Sequence, residues 1–373
     1  MTGNAFLLSV LVGPAVPVPL PRLALEALQE IEVSQKTDGE SGFSLKFGID
    51  CKSVLHTLLL VGGQTVPALR VVILVTIGGV PHVLMDGVID RQEMSGGGGE
   101  ATLTVLGKDL SSVMNRIDKT GFPYPAMPVA ARVLACLAPY AAFGVVPAVI
   151  PPLFTVVKSP TSEIPKHKGT DLAYLRHLAK ENGYVFYVDP GPAPGTSTAY
   201  FGPEIRIGVP QPALTMDSDG FSNVSGVEFA VDGTERELPV LIVQEPNTKA
   251  PLPIPLPDVS LANPPLGLVP PRLASVRILE DIGALNPVEA ALKGLGTAAR
   301  SADAVSASGT VDPLRYGRLL RARGLVGLRG AGLAFDGLYY VKDVTTTIKT
   351  GSIAQKFQLV RNGLVSTVPK VAA

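Results

Sequence analysis

The chain of 373 residues contains no tryptophan, two cysteines and four histidines. With only Cys51 and Cys136, neither a disulfide framework nor a zinc site built from cysteine alone is open to it. Two buried free thiols are the expected state. The histidines, His56, His82, His167 and His177, show no HxH or HxxxH spacing. Charge is scarce as well, at 17% of residues against a usual share of about 25%. The 32 basic and 32 acidic side chains cancel, so the basic excess with which dedicated nucleic-acid binders displace counterions is missing. Met1 to Val12 is apolar but lacks a basic start and runs into Pro14, Pro17, Pro19 and Pro21. The stretch reads as a strand followed by an extended segment rather than as a targeting peptide. Val133 to Val157 carries no charge, yet Pro139, Pro147, Pro151 and Pro152 interrupt it. A lipid-exposed backbone broken so often would leave polar groups unpaired. The stretch reads as a short buried helix near Val129 to Leu137 followed by an extended apolar loop.

Apolar residues make up 46% of the chain, ample for sizeable cores and too many for a disordered polymer. Glycine and proline, at 39 and 34, stand well above their ordinary shares of about 7% and 5%. Such punctuation predicts many short strands joined by turns. Phe43, Leu45, Phe47 and Ile49 alternate with polar or small neighbours. Val71 to Ile77 is a continuous β-branched run that turns at Gly78-Gly79 and pairs back through Val83 to Ile89, and Ser95 to Gly99 reads as a hairpin tip. Ala101 to Leu106 then resumes the alternation. Four or five such strands describe an antiparallel barrel or sandwich.

From Asp109 the texture changes. Short helices are predicted at Asp109 to Asp118 and at Val129 to Leu137, and the clearest helix of the chain at Thr170 to Asn182. Thr170 can cap that helix, Asp171 suits its positive end, Leu172, Leu175, Leu178 and Ala179 form one stripe, and Gly183 can terminate it. Tyr184 to Val188 and Tyr200 to Ile207 read as strands. Pro246 to Pro271 holds nine prolines in 26 residues, so it is expected as an extended segment on a surface. Pro287 to Ala307 is Ala-rich and helix-compatible. Leu338 to Ile348 and Ile353 to Arg361 form a predicted hairpin around Lys349-Thr350-Gly351.

No stretch assembles a catalytic constellation. Asp86 and Asp90 flank Gly87-Val88-Ile89 and read as turn residues rather than a glycosidase pair. Asp217-Ser218-Asp219-Gly220 opens like a calcium loop, but Phe221 and Val224 supply no ligands on the way to Glu228. Cys51 and His56 have nothing to orient them as a nucleophile and base. Gly324, Gly327, Gly330 and Gly332 lack the GxxxxGK[ST] of a phosphate loop. Among them stand Arg315, Arg318, Arg321, Arg323 and Arg329, which read as a solvated strand and turn, or alternatively as a docking face for an acidic partner. No catalytic, cofactor-binding or metal-binding residue is assigned, and no cofactor.

Three strings together carry a resemblance. They are Gly169-Thr-Asp-Leu-Ala-Tyr-Leu-Arg-His-Leu-Ala-Lys-Glu-Asn-Gly-Tyr-Val-Phe-Tyr-Val-Asp189, with Ala199-Tyr-Phe-Gly-Pro203 close behind; Phe335-Asp-Gly-Leu-Tyr-Tyr-Val-Lys-Asp-Val-Thr345; and Gln355-Lys-Phe-Gln-Leu-Val-Arg-Asn-Gly-Leu364. The chain resembles the phage late control protein D family, the tail hub proteins of contractile phages and injection systems, weakly from about residue 30 and strongly after Gly169. Thr345-Thr346-Thr347 stands where members often carry a histidine.

The resemblance implies a mainly β, α+β chain of two interleaved antiparallel tube-like barrels with helical connectors. Residues 1–117 completed by about 208–245 would form the first barrel. Residues 118–207, a helical connector and the start of the second barrel, would be completed by about 310–365. Residues 246–309 would be a Pro-rich and Ala-rich insertion, and 366–373 a tail. It further implies a structural, non-enzymatic baseplate hub, a homotrimeric ring that adapts a hexameric inner tube to a trimeric spike. Because only nine residues follow Leu364, the spike is expected to be a separate protein. Other baseplate proteins are expected partners, with no direct nucleic-acid or membrane binding. Assembly is expected in the cytoplasm, and thereafter residence in a phage tail-like particle. The rival reading is a β-rich tail-tip hydrolase acting on cell-wall glycan.

Overall fold

Alternation of apolar and polar side chains makes the beginning of the chain a run of antiparallel strands. In β4 (Gly42–Ile49) Phe43, Leu45, Phe47 and Ile49 are buried while Lys46 is exposed, as a period of two requires. The computed structural model describes residues 6–14, 16–49, 68–97, 100–152, 164–216, 222–232, 237–244, 251–256, 263–270, 272–273, 275–278, 294, 303 and 305–368. Around β4 lie β1 (Leu7–Gly13), β2 (Val18–Pro19), the short helix α1 (Arg22–Glu26), β3 (Leu28–Lys36), β5 (Arg70–Ile77), β6 (Val80–Gly97) and β7 (Glu100–Asp109). They hydrogen-bond in the order β3-β4-β7-β6-β5-β1-β2. Gly78 and Gly79 take the left-handed backbone that a tight hairpin needs, at φ +58° and +82°. Ile31, Phe47, Ile73, Met85 and Leu103 fill the core of this strand set.

A second strand set comes from distant parts of the chain: β11 (Gln211–Thr215), β12 (Val224–Val231), β17 (Val305–Val311), β18 (Leu325–Arg329), β19 (Gly337–Lys349) and β20 (Ser352–Arg361), with the helical turn α4 (Pro313–Tyr316). Leu214, Val305, Val326, Tyr339, Val341 and Leu359 form its own core. The two sets meet where β19 pairs antiparallel with β3, which makes one sheet of thirteen strands. The expected hairpin around Lys349-Thr350-Gly351 is present as β19 and β20. The mainly β, α+β class is likewise what the structure has.

Between the sets sits a helical insert with a separate core. It contains a 3-10 turn at Leu110–Asn115, α2 (Val129–Leu137), a second 3-10 turn at Ala138–Phe143, β8 (Val145–Val149), α3 (Asp171–Glu181), β9 (Val185–Pro190) and β10 (Ser197–Gly202). Asp109 caps the first turn by accepting from the Ser111 amide at 2.9 Å. Thr170 caps α3 by accepting from the Ala173 amide at 3.3 Å, and Gly183 follows its end at φ +66°. Leu172, Leu175, Leu178 and Ala179 are buried as the stripe predicts. A small outer sheet holds β13 (Glu237–Gln244), β14 (Pro251–Pro255) and β16 (Ser275–Ile278), and β15 (Gly267–Val269) pairs with β21 (Leu364–Ser366).

Several expectations need correction. Val145 to Val149 is a strand parallel to β10 and not a loop. The strand expected over Tyr200 to Ile207 ends at Gly202, just before Pro203, which has no amide to continue a ladder. Val305 to Ala307 belongs to β17 rather than to a helix, because Val305 and Ala307 alternate into the core. Of the rest of Pro287 to Ala307, only residues 294, 303 and 305–307 are described. β11 and β12 pair with β18 and β17, so these strands, expected to complete the first set, join the second. β8, β9 and β10 form their own three-stranded sheet instead of starting the second set.

Buried charge fastens the insert to the first strand set. Arg70 of β5 and Asp86 of β6 form two parallel hydrogen bonds of 2.7 Å, with side chains 3% and 0% exposed. Asp86 also accepts from the Ser197 hydroxyl at 3.3 Å, and Arg70 donates to the Gly195 carbonyl at 2.9 Å. Both partners of that second pair lie in the β9–β10 region. Both residues lie within β6 and neither is a turn residue: Asp86 is buried, and Asp90 is exposed at a bulge in the strand.

Two stability predictions follow from these contacts. Leu175→Ala should cost about 2–5 kcal/mol through lost burial and a cavity, while Lys180→Ala, at an exposed site, should stay within about 0.5 kcal/mol. Asp86→Ala should cost about 3–5 kcal/mol because it strands Arg70 without a counter-charge, and Asp90→Ala should be nearly silent. Urea denaturation of the four variants checks both pairs.

Candidate functional site

Among the described residues, the insert gathers a concentrated group of reactive side chains. Residues 119–124 and 165–169 run beside each other through backbone hydrogen bonds, Lys119 N–H to the Gly169 carbonyl at 3.0 Å, Gly121 to His167 at 2.9 Å, His167 to Phe122 at 2.8 Å and Tyr124 to Pro165 at 2.9 Å. This ladder sets Tyr124 beside His167, whose Nδ1 is 2.9 Å from the phenolic oxygen. The same oxygen is 3.3 Å from the Cys136 sulfur. Cys136 is buried with Val133 and Leu137 on one face of α2. Asp171, in the first turn of α3, brings its Oδ1 to 3.5 Å from His167 Nε2. Its other oxygen accepts from Lys119 Nζ at 2.5 Å and from the Tyr140 hydroxyl at 2.6 Å. Tyr174 closes the group, stacked on Tyr124 with centroids 5.7 Å apart and tilted against His167 at 4.3 Å.

Cysteine, histidine and aspartate are the members of a cysteine-hydrolase triad, but their order here is wrong for one. The Tyr124 hydroxyl stands between sulfur and imidazole, and Cys136 is only 2% exposed. Burial pushes the Cys136 thiol above its ordinary value, against the pull of the Tyr124 hydrogen bond. The group is buried and does not have the order of that triad. Neither cysteine–histidine spacing nor a motif foretold it, because residues 124, 136, 167 and 171 meet only through tertiary packing. The one local signal was the buried His167 four residues ahead of a carboxylate in the first turn of a predicted helix.

The residues weighed from sequence are scattered. Asp86 is committed to Arg70, so Asp86 and Asp90 form no carboxylate pair. Cys51, His56 and Asp217 to Gly220 lie outside the described residues. The arginines do not make one face. Arg315, Arg318 and Arg321 are exposed, but Arg323 has a side chain 5% exposed, paired with Asp189 and donating to the Lys36 carbonyl. Its guanidinium lies 4.1 Å from the Tyr187 ring centroid. Arg329 donates to the Thr215 hydroxyl at 3.0 Å. Arg323 and Arg329 are thus internal fasteners. An open hollow lies where the three units meet, lined in part by His82, Asp189, Arg321 and Arg323. The nearby Arg321 and Arg318, acting with burial as the larger cause, hold the His82 imidazole below its ordinary value. No helix of the described residues is long and apolar enough to cross a membrane.

No protein-family model and no curated protein matches the chain. Solved structures do. A tail protein from Neisseria meningitidis MC58 superposes with a TM-score of 0.63 at 16% identity, covering 96% of this chain and 98% of that one. The 43 kDa tail protein of prophage MuSo2 from Shewanella oneidensis gives 0.63 at 14% identity, covering 95% and 98%. An E. coli component of the type VI secretion system gives 0.52 at 13% identity, covering 91% and 76%. At these identities the likeness is one of fold. The chain has, along nearly its whole length, the fold of these phage tail proteins, in keeping with its resemblance to the late control protein D family.

Proposed function

We propose that this chain is the structural hub of a contractile phage tail-like injection system. In this reading it is a homotrimer that joins a hexameric inner tube to a separate trimeric spike among other baseplate proteins. The observation that carries the reading is the doubling of the β structure: two strand sets, the first antiparallel and the second antiparallel except for the parallel β11–β18 pair, each with its own core, joined through β3 and β19. Each set stands for one tube-like barrel. The first takes β1–β7 within residues 1–117, and the second takes β11, β12 and β17–β20. Residues 246–309 act as an insertion and 366–373 as a tail. Three copies then offer six similar units to a six-fold tube while keeping a three-fold face for the spike.

β12, paired on one side only among the described residues, offers an edge for a neighbouring copy to continue. The role is geometric and not catalytic, and it places the protein first in the cytoplasm during assembly and then in the particle. The likeness to tail proteins and to a type VI secretion component supports it.

Light scattering coupled to gel filtration tests the proposal, with native mass spectrometry as a second measure. A trimer is expected. A folded protein that stays monomeric or dimeric at every accessible concentration would remove the symmetry adaptor.

A further inference from the structure

Two polar atoms at the heart of the insert have no hydrogen-bond partner although their side chains are essentially inaccessible: His167 Nε2 and Asp171 Oδ1. They face each other at 3.5 Å. Leaving such atoms unpaired in a buried setting is costly. The proton inventory of the surrounding groups explains the arrangement. If Nδ1 carries the imidazole proton toward the Tyr124 oxygen, the Tyr124 hydroxyl turns its own hydrogen to the Cys136 sulfur. That chain runs imidazole to phenol to sulfur. It leaves a lone pair on Nε2 directed at a carboxylate oxygen, two acceptors in contact. A cation between them resolves the conflict.

We propose that Cys136 Sγ, His167 Nε2 and Asp171 Oδ1 bind one divalent transition-metal ion of the zinc class. The thiol sulfur, a ring nitrogen and a carboxylate oxygen lie within 4.8 Å of one another, and all three residues are buried. Two ligands held about 2.0–2.1 Å from a tetrahedral ion sit roughly 3.3 Å apart, close to the 3.5 Å between Nε2 and Oδ1. Thiolate with imidazole and carboxylate is a borderline-soft donor set that suits zinc over calcium or magnesium. The surroundings act as outer partners do in metal sites. With the Tyr124 oxygen accepting from Nδ1–H, Nε2 is left to the ion, while Lys119 and Tyr140 occupy Asp171 Oδ2 and leave Oδ1 to it. On binding, the Cys136 thiol gives its proton to solvent, and the ion's two charges balance thiolate and carboxylate. Such an ion ties the end of α2 to the start of α3.

The test is metal analysis of the full-length protein purified without chelator, together with titration of the stripped protein with Co²⁺. The expected results are one equivalent of zinc per chain, a thiolate-to-cobalt charge-transfer band, and a lower melting temperature after chelation. Cys136→Ser should abolish the band and Cys51→Ser should keep it. Tyr124→Phe leaves all three donors in place, so it should retain full stoichiometry with affinity weakened about 10- to 100-fold. A folded wild-type protein that takes up neither zinc nor cobalt, with a melting temperature indifferent to chelator, overturns the proposal. So does a cobalt band that survives in Cys136→Ser. These readouts are independent of oligomeric state, so failure here leaves the hub reading standing, and a monomeric protein leaves the metal site standing.

Discussion

The pairing of β3 with β19 holds the molecule together, and everything else is arranged around it. Seven registered positions, from Asp343 opposite Lys36 to Lys349 opposite Glu30, join strands from opposite ends of the chain. Thr37 makes the separation explicit, donating from its amide to Asp343 across 306 residues. Closing a loop of that length costs roughly 5 kcal/mol beyond the constant term, by the logarithmic law of loop entropy. Burying Ile31, Val33 and Ile348, at about 1.5–3 kcal/mol each, offsets it. The strand is long enough to serve two cores. Tyr339, Val341 and Val344 point into the second, whereas Ile348, near the hairpin tip, belongs to the first.

The same sharing recurs in one pair of neighbouring residues. Leu319 packs in the first core and Leu320 in the second. Neither residue lies in a strand, and the backbone of Leu320 is satisfied by a side chain. Gln355, fully buried, accepts from the Leu320 amide at 2.8 Å and donates to the Leu320 carbonyl at 3.1 Å and the Thr346 hydroxyl at 3.0 Å. Three residues on from Leu320, Arg323 holds β9, the end of β3 and an aromatic face at once. Buried ions of this kind add little net stability compared with apolar replacements. They fix which surfaces meet, and here three separately cored units must meet in one way.

Local pattern was enough for the elements whose signals are local. The alternation of β4, the Gly78-Gly79 turn, α2 to the residue and α3 with its Thr170 cap and Gly183 stop were all legible, because period and capping are properties of neighbours in sequence. Partnership was not. Nothing in Gln211 to Val231 says that it pairs with residues a hundred positions later rather than with the first hundred. Asp86 looked like a turn residue because Gly87 follows it, and its burial depends on Arg70 across the ladder. The Cys136–His167–Asp171 group was invisible for the same reason. It arises from two antiparallel segments and two helices, and no spacing rule spans them.

The scarcity of charge takes on meaning once the edges of the sheet are considered. Leu7, Val16, Val18 and Leu23 are 65%, 78%, 60% and 72% exposed, and they cluster around β1, β2 and α1 at one end of the thirteen-stranded order. A monomer normally blunts such an edge with lysine, a bulge or a covering loop. Here Pro17 and Pro19 interrupt the donors while the side chains stay apolar. Proline limits uncontrolled strand addition without making the surface hydrophilic. On the hub reading that combination is what an edge requires when it is to be covered by one neighbour, through side-chain packing, and closed into a ring rather than extended into a fibre.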